Sequence, residues 1–207
     1  VTFLSLLEFH KITNRSSDIE VPLPFASAGG ILLFISTFLY VTGRVSVFVF
    51  FSYIIFVLWM FLRELFLRKS NPIQNWAYFL LGQVMIAFPF SFLNFILFID
   101  GYQPFLVLSI FIITWLNDTG AFLVGSAFGK HHFFERISPK KSWEGFWGGV
   151  FIGLLGGYVL SLFLPQLNFS QWLILSMIVV IAATLGDLTE SLMKRTLNIK
   201  DSGKIIP

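Results

Sequence analysis

The chain has 207 residues, 56% of them hydrophobic and 12% charged, with a mean hydropathy of +0.81. A soluble domain carries charge on roughly a quarter of its residues, so this composition excludes a soluble globular protein and fits an integral membrane one. The formal charge is only +3 and Cys is absent, which removes disulfides, thiolate metal sites and a cysteine nucleophile.

Residues 1–9 read as the end of a helix, followed by a polar loop closed by Pro22 and Pro24. Apolar runs of about 17–25 residues can cross a bilayer as helices. Six are predicted, at 25–42, 45–62, 74–98, 102–117, 146–164 and 172–189. The fold class that follows is all-α, a polytopic membrane protein with about six transmembrane helices. It is read as one membrane-embedded domain over 1–207. Gln83, Pro89 and Asn94 interrupt the third run and predict a kink there. The 27 Phe residues suit lipid-facing surfaces. Val1 and Pro207 both read as internal positions of a longer chain.

Alternating the six spans puts the loops 8–24, 63–73 and 118–145 and the tail after 190 on one side, with 13 of the 14 Lys and Arg residues; only Arg44 lies opposite. The positive-inside rule makes that side cytoplasmic. Trp59, Trp76, Trp115, Trp143 and Trp147 fall near the same boundary and Trp172 near the other, as an interfacial belt predicts. Two polar stretches, 117–145 and 186–207, therefore face the cytosol together.

Asn117-Asp118-Thr119-Gly120 reads either as the stop of the fourth helix, with Gly120 as its cap, or as a site where Asp118 binds a metal or a ribose hydroxyl. Gly125 to Lys130 is one residue short of a phosphate-binding loop, and His131 stands where Ser or Thr is needed. His131 and His132 have no third ligand at zinc spacing. In Ser138-Pro139-Lys140-Lys141-Ser142-Trp143-Glu144-Gly145, one reading has a serine capping the fifth helix, Pro139 starting it and the lysines snorkelling. The other has Lys140 and Lys141 gripping phosphate at a helix N-terminus. Gly149, Gly153 and Gly157 make two overlapping GxxxG steps, a pattern for close helix packing that leaves room for a homodimer.

The last span meets Asp187 about 22 Å along the helix from Trp172, just short of a hydrocarbon core of about 30 Å. An acid at that depth faces a bundle interior or an aqueous cavity. Thr184, Asp187, Ser191 and Lys194 recur at helical spacing on one face. The non-functional reading is a helix leaving the bilayer with its acids offset by Lys194 and Arg195.

Together, S-P-K-K-S-W-E-G at 138–145 and the pattern S-x-x-K-R-x4-K-D formed by Ser191, Lys194, Arg195, Lys200 and Asp201 are specific. The chain resembles the bacterial phosphatidate cytidylyltransferases (CDP-diacylglycerol synthases) over nearly its whole length. That resemblance implies a nucleotidyltransferase of phospholipid biosynthesis, which condenses CTP with phosphatidate to CDP-diacylglycerol and pyrophosphate using Mg²⁺. It implies a metal ligand in Asp187, catalytic roles for Asp187, Lys194, Arg195, Lys200 and Asp201, and substrate contacts from Asp118, Ser138, Lys140, Lys141, Glu144 and Ser191. It also implies a multi-pass protein of the bacterial plasma membrane with its site facing the cytoplasm. In the family the tail continues into H-G-G and D-R-x-D, and further helices precede the position of Val1; the chain is thus expected to be a piece of a longer protein.

The alternatives are another CTP-dependent lipid-head transferase, a lipid kinase, or a transporter. A CDP-alcohol phosphotransferase would carry D-G-x-x-A-R, whereas Asp100-Gly101 is followed by Tyr-Gln-Pro on the outer side. Transport predicts polar groups at mid-bilayer or paired half-repeats, but here charge gathers at one face. No nucleic-acid partner is expected.

Overall fold

The computed structural model describes residues 1–15 and 18–197, so the predicted site residues Lys200 and Asp201 lie outside the described residues. Among the described residues six helices are long and apolar enough to cross a membrane: Leu23–Val41, Val47–Phe66, Pro72–Leu97, Pro104–Phe128, Trp143–Phe163 and Phe169–Thr196. The protein is an all-α polytopic membrane protein, with one short β-hairpin added. Helix packing divides the described residues into two compact units, 1–103 and 104–197.

The first unit contains α1 (Thr2–Thr13), α2 (Leu23–Val41), α3 (Phe50–Phe66), α4 (Pro72–Gly82) and α5 (Phe88–Leu97). The kink expected in the third span takes the form of a π-helical turn, Gln83–Ala87, that joins α4 to α5 without a break. Pro89 has no N–H and its ring would crowd the carbonyl four residues back, so a locally widened turn lets the helix continue past it. Gln83 and Asn94, which interrupt this span, are both buried and both hydrogen-bonded, which membrane depth favours. Gln83 Nε2 donates to the Ala26 carbonyl at 2.9 Å and its Oε1 accepts from Tyr53 at 3.3 Å. Asn94 Nδ2 donates to Thr37 Oγ1 at 2.9 Å. At the other end of the unit Glu64, 3% exposed, accepts from Asn75 and lies 3.4 Å from Lys69 Nζ.

The second unit contains α6 (Pro104–Phe128), β1 (His132–Phe134), β2 (Ser138–Ser142), α7 (Trp143–Phe163) and α8 (Phe169–Thr196). α7 is packed between the other two helices, and its glycines explain how closely. A Cβ at Gly120 of α6 would meet Ile152 Cβ at 2.7 Å and the Gly148 carbonyl at 2.9 Å; one at Gly149 would meet Asn117 Oδ1 at 2.7 Å. On the α8 side a Cβ at Gly153 would meet Val180 at 2.5 Å, and one at Gly157 would fall 1.8 Å from Ser176 Oγ. The GxxxG steps are thus filled by α6 and α8 of the same chain, and that stripe is no surface for a second copy. Ile113, Val150, Val179 and Val180 close the core between the three helices.

Several expectations change here. α6 runs through Asn117-Asp118-Thr119-Gly120 to Phe128 instead of stopping at 117. Gly120 is a packing residue, and Asn117, 4% exposed, is buried against the α7 glycines, so the helix-stop chemistry of these residues is overridden by tertiary contact. Trp115 therefore lies about 20 Å before the end of α6, inside the span and not at its boundary. Trp172 is fully buried, its indole N–H donating to the Leu164 carbonyl at 3.2 Å, so it belongs to the α7–α8 corner and not to a belt. Pro139 sits inside β2 and starts no helix; Ser142 is the cap of α7, accepting from the Gly145 amide at 3.1 Å.

Candidate functional site

α6 and α8 each pack antiparallel to α7, so both bring their C-terminal halves to the end of the unit where α7 begins. Between them and the hairpin lies a cavity of about 420 Å³. This falls within the range of small-molecule sites, roughly 300–1,000 Å³.

Each wall follows from a local rule. α6 contributes Asn117, Asp118, Ala121, Phe122, Gly125 and Ser126. Their offsets from Asn117 of one, four, five, eight and nine residues make one face of a helix over two and a half turns, legible once the helix extends to Phe128. α8 contributes Thr184 and Asp187, one turn apart. The hairpin contributes Phe133, Lys140, Lys141 and Ser142, and the first turn of α7 Gly145 and Phe146. Gly145 has no room for a side chain, since its Cβ would lie 2.8 Å from the Ala121 carbonyl. The start of α7 therefore presents bare backbone to the cavity, and a helix N-terminus attracts anions.

Charge inside the cavity is balanced between two carboxylates and two ammonium groups. Lys141 Nζ is ion-paired with Asp187 Oδ2, linking β2 to α8. Asp118 is close enough to feel both Asp187 and Lys141, and accepts a hydrogen bond from Asn117 Nδ2 at 3.3 Å. Lys140 is exposed and has no ion pair among the described residues. By helix rise, Asp118 lies about 21 Å from the start of α6 and Asp187 about 27 Å from the start of α8. Both acids thus lie in the second half of an apolar core of about 30 Å and short of its end.

The structure brings together Asp118, Lys140, Lys141 and Asp187 of the predicted residues. It does not bring the other described ones to the cavity. Glu144 points to the hairpin's root, where it meets His131 and two backbone amides. Ser138 opens β2 outside the lining. Ser191, Lys194 and Arg195 lie further along α8, with Lys194 Nζ 2.7 Å from Glu190 Oε1 in an i,i+4 pair. Sequence reasoning missed Asn117, Ser126, Ser142 and the rings Phe122, Phe133 and Phe146 as cavity residues. The α6 residues carry a periodic signal; the hairpin residues carry none. Among the described residues no cluster of three or more His, Asp or Glu is placed to hold a metal by itself. Two carboxylates, one from α6 and one from α8, still suit Mg²⁺, which takes one or two protein carboxylates and fills the rest of its shell with water and substrate phosphates.

Six membrane-length helices among the described residues, three of which line a cavity holding two lysines and two aspartates, define a polytopic membrane protein. The chain belongs to the cytidylyltransferase family, whose model matches residues 1–207. It is 43% identical over 103 residues to a phosphatidate cytidylyltransferase of Staphylococcus epidermidis, covering 49% of this chain and 39% of that protein. It is 41% identical over 108 residues to the Haemophilus influenzae phosphatidate cytidylyltransferase, 50% of this chain and 38% of that one. A Staphylococcus aureus phosphatidate cytidylyltransferase is 42% identical over 103 residues, again 49% and 39%. The matched region spans about two fifths of the length of these curated relatives.

Proposed function

We infer that the complete protein transfers the cytidylyl group of CTP to phosphatidate, giving CDP-diacylglycerol and pyrophosphate, and that the 117–187 cavity holds the reacting phosphates. The observation that carries this reading is the convergence of Lys140, Lys141, Asp118 and Asp187, from three separate elements, on one cavity of a membrane protein. The relatives' names supply the substrates.

A phosphate monoester is already anionic near neutral pH, so its oxygen attacks the α-phosphorus of CTP without a strong base. A P–O bond forms to the lipid phosphate, the bond between the α-phosphorus and its bridging oxygen breaks, and pyrophosphate leaves with that oxygen. What the protein must supply is relief of anion repulsion, alignment, and stabilisation of the leaving group. Lys140 and Lys141 bring positive charge, and the start of α7 adds the positive end of its helix dipole. Asp118 and Asp187 are the described carboxylates that would hold Mg²⁺, which when bound offsets phosphate charge and favours pyrophosphate departure. Lys141 holds Asp187 in line until anionic substrate draws the ammonium across. The one-sided distribution of 13 of 14 basic residues supports a cytoplasmic opening, where CTP is met.

The test uses the complete protein in phosphatidate vesicles with CTP labelled at either the α- or the γ-phosphorus. Label from the α position in lipid establishes cytidylyl transfer; label from the γ position establishes a lipid kinase and rejects this reading. No transfer of either rejects both.

A further inference from the structure

Glu144 carries a role different from the one its motif suggests. It sits in the first turn of α7, outside the cavity, yet its carboxylate is fully engaged. Oε2 accepts from the backbone amides of Lys130 at 3.2 Å and His131 at 3.3 Å, and Oε1 lies 2.6 Å from His131 Nδ1. The Trp143 amide donates to the His131 carbonyl at 2.9 Å. These contacts close the segment 130–144 at its root. Gly129 tightens the closure, since a Cβ there would lie 2.3 Å from the Gly125 carbonyl and 2.8 Å from Ser142 Oγ.

The segment so closed needs an anchor. β1 has three residues and β2 five, their register is irregular between His132 and Phe134, and Pro139 lies within the longer strand. A two-stranded ribbon of that kind is at best marginally stable alone. It nevertheless carries Lys140 and Lys141, half of the cavity's charged set. Besides the Lys141–Asp187 pair, two features hold it: the Glu144 contacts, and Phe133 packed edge-on to Trp143 at 4.4 Å and stacked on Phe146 at 5.1 Å.

We propose that the Glu144–His131 latch is a positioning device that holds β2 so that Lys140 and Lys141 present to the phosphates of the nucleotide. The proposal rests on the nucleotide reading of the cavity given above. Glu144 touches no substrate; it acts through the hairpin. Releasing the latch leaves both lysines in the chain but lets them wander, which weakens nucleotide capture more than it alters the chemical step.

The experiment compares wild type, Glu144→Ala, Glu144→Gln, His131→Ala and the Glu144→Ala/His131→Ala double variant of the complete protein in vesicles. Expected is a rise of about tenfold in KM for CTP in Glu144→Ala, the size of one lost charge-assisted hydrogen bond. kcat changes much less, Glu144→Gln recovers part of the loss, and the double variant adds little to the single one. His131 is 78% exposed on its side chain, so His131→Ala folds and keeps the test open if Glu144→Ala does not. Amide hydrogen exchange gives a readout apart from turnover: segment 130–142 exchanges faster in Glu144→Ala and His131→Ala, while the middle of α7 does not. Unchanged exchange in that segment, or additive losses concentrated in kcat, would overturn the latch. Should the wild type transfer nothing from CTP, the functional reading fails, and exchange alone decides the latch.

Discussion

Lys141→Met separates the two things that the Lys141–Asp187 pair could be for. The side chains are 25% and 54% exposed, so water screens their attraction. Pairs of that exposure contribute about 0–1 kcal/mol to stability. Methionine keeps most of the stem's packing, so unfolding of the complete protein in detergent should shift by less than about 1 kcal/mol. A lysine that grips a phosphate during transfer contributes more, because an unmet charge-assisted hydrogen bond costs about 2–3 kcal/mol, which is a loss of roughly 30- to 150-fold in kcat/KM. The assay pairs α-labelled CTP turnover with chemical denaturation on one preparation. A loss of turnover below about threefold would remove Lys141 from the site. A stability loss large enough to explain the whole loss of turnover would make the pair structural.

The remaining predictions reach other parts of the molecule. Gly157→Ala should destabilise the α7–α8 seam by about 1–3 kcal/mol, because the new methyl falls on Ser176 Oγ. Gly186→Ala, with nothing within 4 Å of its Cβ, should stabilise α8 by up to about 1 kcal/mol; thermal unfolding of the two variants should move in opposite directions. His10, in the 12-residue α1, is fully buried with both ring nitrogens unpartnered among the described residues, and burial pushes its ring down to about 4. The unfolded chain then binds a proton that the folded one refuses, so stability is full above about pH 6.5 and falls as the pH drops toward 4, by about 3 kcal/mol in all. Denaturation of His10→Leu across that range should lose this slope; a slope equal to wild type would assign it elsewhere. Chelation of divalent metal should stop turnover and added Mg²⁺ restore it, whereas undiminished turnover in chelator would reject a metal held by Asp118 and Asp187.

Hydropathy made the six spans legible, because each is a predominantly apolar run whose length matches a bilayer. Their ends were less legible. Asn117-Asp118-Thr119-Gly120 has the residues that stop helices in water, but Gly148 and Gly149 let α7 approach so closely that Asn117 is buried and the helix continues. Lys140, Lys141, Asp118 and Asp187 stood out because charge next to apolar runs is costly. The hairpin was invisible: a strand reading Ser-Pro-Lys-Lys-Ser has no alternation of polar and apolar residues. Glu144 shows the limit of a motif, which identifies a residue beside a site without saying which way it faces. Trp172 makes the same point, since only the α7–α8 corner explains its burial.

The glycine seam of α7 sets a dimension as well as a contact. Asp118 rides on one neighbour and Asp187 on the other, and those two helices also touch each other, so the seam of α7 helps to set how far apart the two acids stand. A methyl group added on either flank would shift that spacing without touching a charged atom. Residues remote from any ligand thereby become calibration marks, and substitutions along the seam would be read out as changed chemistry together with lost stability.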